Sequence, residues 1–175
     1  PMSVDFFRPL EKGNDNKILN NFSKETIEDF RGEISVYTKA IQKNPKDAQA
    51  YYNRAVYKIE LSDMPGALLD LNKALEINPE YNDIYYKRGI AKQALQDYNG
   101  AIADFTKAIE LNSQNADAYY YRANVNLTQK NYANAITDYS SAIQINQKFI
   151  NALNNRAIAK YNSEDFNAAL EDFNT

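Results

Sequence analysis

The chain has no histidine, no cysteine and no tryptophan, and only five glycines and five prolines among its 175 residues. Without imidazole or thiolate, zinc and copper sites lose their usual ligands. Ser–His and Cys–His nucleophile pairs are excluded. So are disulfides, and cysteine usage therefore carries no information on redox compartment. No apolar run approaches the length of a membrane span, and no signal-peptide pattern opens the chain. The expectation is a cytoplasmic protein without membrane insertion, metal or cofactor. The formal net charge is only -3 and the pI about 5.1. A nucleic-acid binder usually carries a basic face, so that class is not expected. Scarce helix breakers beside 14 Tyr and 8 Phe suit packed helices better than a turn-rich sheet protein.

What the chain does have is a period. Arg54, Arg88, Arg122 and Arg156 stand 34 residues apart. A small residue follows each one: Ala55, Gly89, Ala123, Ala157. Further columns keep step: Ala67, Ala101, Ala135 and Ala169; Asp70, Asp104, Asp138 and Asp172; Leu71, Phe105, Tyr139 and Phe173; and Ala74, Ala108 and Ala142. Such self-similarity marks a repeat architecture, here one helix pair per period. Small residues let the paired helices approach, and the larger column fills the space between pairs. Second helices are expected to start at Asp29, Asp63, Asp97, Asn131 and Asp165, which accept from first-turn N–H groups. Pro65 then falls in a first turn, where a missing N–H costs little. Asn44, Asn78, Asn112 and Asn146 are expected to close the units in the left-handed conformation. Pro45 and Pro79 forbid continuation.

The pattern Tyr-Tyr-x-Arg-Ala/Gly, then Ala, then Asp-Phe/Tyr, resembles the tetratricopeptide repeat of bacterial type. The resemblance implies an all-α fold, a right-handed superhelical α-solenoid of antiparallel helix pairs. It covers units 48–81, 82–115 and 116–149 and a truncated unit 150–175. A degenerate N-terminal unit is expected at 14–47, where Asp29 to Ile41 aligns with Asp97 to Ile109. Residues 1–13 are expected to be a tail, with Pro1 before Met2 read as a cleavage scar. Departures include Leu153 in the column of Tyr51, Tyr85 and Tyr119, and Ser113 and Gln147 in place of the unit-ending Pro.

Two sets of residues invite a functional reading. One reading of the Arg54/Asp70, Arg88/Asp104, Arg122/Asp138 and Arg156/Asp172 pairs is an ion-binding or catalytic row, but an element present in every unit serves the unit. They are read as structural ion pairs, with Arg88→Ala expected to destabilise more than Lys92→Ala. The second set follows from the resemblance, which implies that first helices line an inner groove. Its residues are Tyr52, Tyr86, Tyr120 and Asn154, then Val56, Ile90, Asn124 and Ile158, then Ile59, Leu127 and Tyr161, with Lys87 beside them. Tyr offers contact area and a hydroxyl, and Asn can pair with the main chain of a peptide. The other reading is that these rings simply cover neighbouring helices.

No isolated carboxylate pair suggests catalysis, so no enzyme is expected. A protein-interaction scaffold or adaptor binding a peptide in the groove is expected. The alternatives are a self-assembly module or the regulatory array of a longer protein. Asp83, Asp117 and Glu60 outnumber Lys87 along this face, which favours a neutral or basic partner over an acidic tail. They also disfavour the Lys/Asn clamp with which co-chaperone members of the family hold a C-terminal carboxylate. Self-association is expected through the C-terminal end, where Leu170 and Phe173 lack a following repeat.

Overall fold

The computed structural model describes residues 22–173, and every regular element within them is an α-helix. In order these are α1 (Lys24–Lys43), α2 (Ala48–Glu60), α3 (Met64–Ile77), α4 (Asn82–Ala94), α5 (Tyr98–Leu111), α6 (Ala116–Thr128), α7 (Tyr132–Ile145), α8 (Ile150–Asn162) and α9 (Phe166–Phe173). The described residues divide into two compact units, one ending at Ile77 and the other beginning at Asn78. In the first, α2 packs on α1 and α3. In the second, each helix from α4 to α9 packs on the next, giving an α-solenoid of helix pairs.

Within a pair, the turn is closed by a left-handed residue that is not glycine. Ser62, Gln96, Lys130 and Glu164 have φ of 62°, 64°, 62° and 68°. The next N–H then turns back onto the first helix: Asp63, Asp97, Asn131 and Asp165 donate to the carbonyls of Lys58, Lys92, Asn126 and Lys160 at 2.8–3.0 Å. This is the six-to-one closure of a Schellman motif. The asparagines that end the second helices do not take this conformation. Asn44, Asn112 and Asn146 are extended, with φ of -136°, -145° and -126°. Their side chains act instead: Oδ1 of Asn44, Asn78, Asn112 and Asn146 accepts the N–H two residues on at 3.1–3.2 Å. That local bond bends the chain toward the next helix without a left-handed residue.

Second helices start at side-chain caps in three cases. Asp63, Asp97 and Asp165 accept from Gly66, Gly100 and Ala168 at 2.9, 3.0 and 3.2 Å. Asn131 takes the cap position without a side-chain hydrogen bond. Asp29 caps nothing: it lies within the 20-residue α1, which Ser23 caps by accepting from Thr26. The expected first helix of the 14–47 window begins among residues outside those described.

The alanine columns form the floor of the core. Ala55, Ala67, Ala74, Ala101, Ala108, Ala123, Ala135, Ala142 and Ala157 are fully buried. Leu71, Phe105 and Tyr139 are buried over them, whereas Phe173 is 54% exposed. Gly89 has a specific reason. A Cβ there would lie 2.6–2.9 Å from ring carbons of Phe105, so any side chain at this position would have to displace the ring.

Candidate functional site

Each arginine column residue forks onto the aspartate sixteen positions later. Arg54 donates through Nε and Nη2 to Asp70 at 2.8 and 2.5 Å, and Arg88 to Asp104 at 2.8 and 2.6 Å. Arg122 and Asp138, and Arg156 and Asp172, pair at 2.8 and 2.7 Å. The aspartates are buried, so bidentate geometry and charge-assisted bonding offset their desolvation. Burial pushes the Asp172 carboxyl up, but bonds from Arg156 and Lys160 and their charges outweigh it and hold it below the usual range. In three of the four units a tyrosine three residues before the arginine covers the guanidinium: Arg54 over Tyr51, Arg88 over Tyr85 and Arg122 over Tyr119, at 5.6–5.7 Å, whereas Arg156 has Leu153 there.

Two further columns at the same 34-residue spacing join this ladder, a hydroxyl column that holds Asn at 72 and a lysine column that holds Asn at 126. The remaining guanidinium nitrogen reaches back sixteen residues to a hydroxyl: Arg54 to Thr38, Arg122 to Thr106 and Arg156 to Ser140, at 3.1, 2.9 and 3.1 Å. Each of these arginines thus ties its own pair to the preceding helix. A lysine four residues after the arginine also reaches the aspartate: Lys58, Lys92 and Lys160 lie 2.8, 2.8 and 2.9 Å from Asp70, Asp104 and Asp172. Lys92 is therefore no surface reference for Arg88, because it holds the same buried carboxylate.

The candidate groove residues fall in both units. Tyr52, Val56 and Ile59 are half-buried on α2 in the first. In the second, α4 touches α6 and α6 touches α8, so the row Tyr86, Tyr120, Asn154 runs over adjoining helices. Tyr86 and Ile90 pack against the cluster of Ala101, Phe105 and Val125. Tyr120 and Leu127 pack against the cluster around Ala123 and Tyr139. The Tyr120 ring lies 4.8 Å from that of Phe149 and 5.4 Å from Tyr121. Lys87 Nζ sits 5.5 Å from the Tyr86 ring centre.

Not all of these residues face solvent. Asn124 is buried, accepting at Oδ1 from the Tyr139 hydroxyl at 2.6 Å and from Asn155 Nδ2 at 3.0 Å. Asn155 also approaches the Tyr120 hydroxyl at 3.4 Å. Asn124 therefore serves an internal network. Asn154 is exposed and Ile158 half-buried. Tyr161 is 60% exposed and meets Phe166 of α9 edge-on at 5.3 Å.

Among the described residues no group of His, Cys, Asp or Glu is arranged to hold a metal ion. None of their helices is long and apolar enough to cross a membrane. Stacked helix pairs braced by internal ion pairs, with a tyrosine- and amide-bearing face, define an α-solenoid of the protein-interaction scaffold class. Two tetratricopeptide repeat models match, one over residues 86–148 and one over 36–68. The chain is a tetratricopeptide repeat protein. Its fold is similar to that of MamA, at 26% identity and a TM-score of 0.81, covering 86% of this chain and 88% of that one. YrrB, a TPR protein with an unusual peptide-binding site, is 26% identical with a TM-score of 0.71, covering 78% of this chain and 71% of that one. A tetratricopeptide repeat protein from Parabacteroides merdae ATCC 43184 is 25% identical with a TM-score of 0.70, covering 94% and 65%. A search of curated proteins returned no match.

Proposed function

We propose that this scaffold binds an extended, neutral or basic stretch of another protein along the face presented by α4, α6 and α8, without catalysing a reaction. The observation that carries the reading is the adjoining of these three helices, which brings Tyr86, Tyr120 and Asn154 into one row. Asp83 and the exposed Asp117 stand on the same helices, where a like-signed peptide meets repulsion. The similarity to YrrB supports a peptide as the ligand class. The reading keeps the partition into units 48–81, 82–115, 116–149 and 150–175, and takes the cytoplasm as the compartment.

Replacing Tyr86 and Tyr120 by Ala is a poor test, because both rings support the core. Charge reversal avoids that. An Asp83→Lys/Asp117→Lys variant and the wild type are titrated with matched basic and acidic peptides at low salt, read by fluorescence anisotropy. The wild type is expected to prefer the basic peptide, and the variant to lose that preference. Tighter binding of the acidic peptide by the wild type would overturn the reading.

A second reading rests on a separate observation. Tyr161, Phe166, Leu170 and Phe173 are 54–60% exposed on α8 and α9, an apolar group of the kind that marks contact sites. Self-association through this face is expected to give concentration-dependent sedimentation that Leu170→Glu abolishes. An unchanged monomer at high concentration would exclude it.

A further inference from the structure

One pair breaks the lysine column. Asn126 stands on α6 where α2, α4 and α8 carry Lys58, Lys92 and Lys160. Those three ammonium groups are held in one way. Each meets the aspartate and also the carbonyl of the residue four before it: Gly66, Gly100 and Ala168, at 3.3, 3.5 and 3.3 Å. In the pair α6–α7 the corresponding oxygens belong to Asp138 and Asn134. Asn126 does not take the lysine's place: its Nδ2 turns back to the Arg122 carbonyl at 3.2 Å. Among the described residues the only cation on Asp138 is Arg122. A cavity of about 310 Å³ opens at this point, lined by Asn126, Asn134, Thr137 and Asp138 together with Thr106 and Ile102. That volume lies at the lower end of small-molecule pockets, roughly 300–1,000 Å³.

We infer that this cavity is a binding site for a primary ammonium on an aliphatic stem, namely a lysine side chain of a protein partner. The sibling pairs serve as the template, since they show the same two oxygens holding such a group beside the same arginine. An anion is a poor fit, because the Asp138 carboxylate borders the cavity and Arg122, the only cation lining it, is already paired with that carboxylate. A divalent metal is a poor fit too, since the cavity offers a single carboxylate, which Arg122 already neutralises. No candidate groove side chain lines the cavity, so the ammonium site stands apart from the proposed peptide face. Only the assignment of the ammonium to a protein partner rests on the scaffold reading.

The test uses the full chain and amide chemical shifts. Wild type is titrated with n-butylammonium chloride at constant ionic strength, with tetramethylammonium chloride as a cation unable to donate hydrogen bonds. A blocked tripeptide with a central lysine is compared with its norleucine counterpart and with spermidine. Saturable shifts at Thr106, Asn126 and Thr137 are expected with n-butylammonium and with the lysine peptide. Asn126→Lys supplies the ammonium internally, and should weaken n-butylammonium binding roughly ten- to a hundred-fold, the worth of a hydrogen bond to a charged group. It should also raise the melting temperature, which separates filling of the site from loss of fold. Equal shifts with tetramethylammonium, or shifts that persist in Asn126→Lys, would overturn the ammonium site. Binding of spermidine without the lysine peptide would overturn the lysine assignment. The Asp83→Lys/Asp117→Lys variant should leave these shifts intact, so failure of the peptide-face reading is visible separately.

Discussion

The pairs α4–α5 and α6–α7 are neighbours built on one pattern, and they solve three positions differently. Under Phe105 sits Gly89, whereas under Tyr139 sits Ala123. Asp104 is held by Arg88 and Lys92, whereas Asp138 is held by Arg122 with Asn126 nearby. Phe105 has no polar tip, whereas the Tyr139 hydroxyl is buried and bonded to Asn124. The shared positions maintain the stacking of pairs. The differing ones show how much local chemistry that stacking tolerates, and where a pair is released to do something else.

The largest expected effect lies in the carboxylates. Asp104→Ala strands two cations in a shielded site and should cost about 3–5 kcal/mol. Asp138→Ala strands one, and should cost less by about the worth of one charged hydrogen bond, ~1.5–3 kcal/mol. Urea unfolding of the two variants side by side measures the difference. Equal losses would mean that Lys92 contributes nothing to its pair.

Next comes the helix approach. Alanine normally favours a helix over glycine by about 1 kcal/mol. At Gly89 the added methyl would press on the Phe105 ring, so Gly89→Ala should destabilise by roughly 1–3 kcal/mol. Ala123→Gly should also destabilise, by about 1 kcal/mol. A stabilised Gly89→Ala in a thermal melt would show that Phe105 can yield.

Alkaline stability separates the two rings. Burial, then the neighbouring Tyr120, raise the Tyr139 phenol above its ordinary range, against a lowering by Asn155. Its folded value exceeds its unfolded one. Its contribution is therefore complete below about pH 10 and is lost as pH rises through the folded value. Tyr139→Phe should cost about 1 kcal/mol at neutral pH, and should flatten the alkaline loss. An unchanged alkaline profile would remove Tyr139 as its source.

The smallest effects are at the turns, where the two pairs are alike. Gln96→Gly and Lys130→Gly should each stabilise by about 1 kcal/mol, because both residues hold positive φ. Unequal gains would show that one turn is constrained by more than its backbone.

Much of the fold was legible in particular residues. Ala67, Ala101, Ala135 and Ala169 at one spacing announce close-packed helix pairs, because a small residue at the same place in every unit lets the two helices approach, and all four are buried. The turns were less legible. Ser62, Gln96, Lys130 and Glu164 share no residue type that favours positive φ, and the asparagines, whose type does favour it, act through their side chains instead. Asp29 looked like a cap because it aligns with Asp97, but α1 runs continuously through it. The candidate face was legible as a spacing only. That Asn124 turns inward to Tyr139 and Asn155 depends on partners fifteen and thirty-one residues away.

The period, the helical class and the columns of arginine and aspartate can be read from the order of residues, because these are one-dimensional facts that recur. So can the lysine column and its interruption at Asn126. What each column does follows only from the packing of the helices. Sixteen residues of chain must fold back before Arg54 can meet both Asp70 and Thr38, and three helices must adjoin before Asn126 and Asp138 line one cavity. A side chain's role depends on which groups share its low-dielectric surroundings, and that is fixed only when distant segments are packed together.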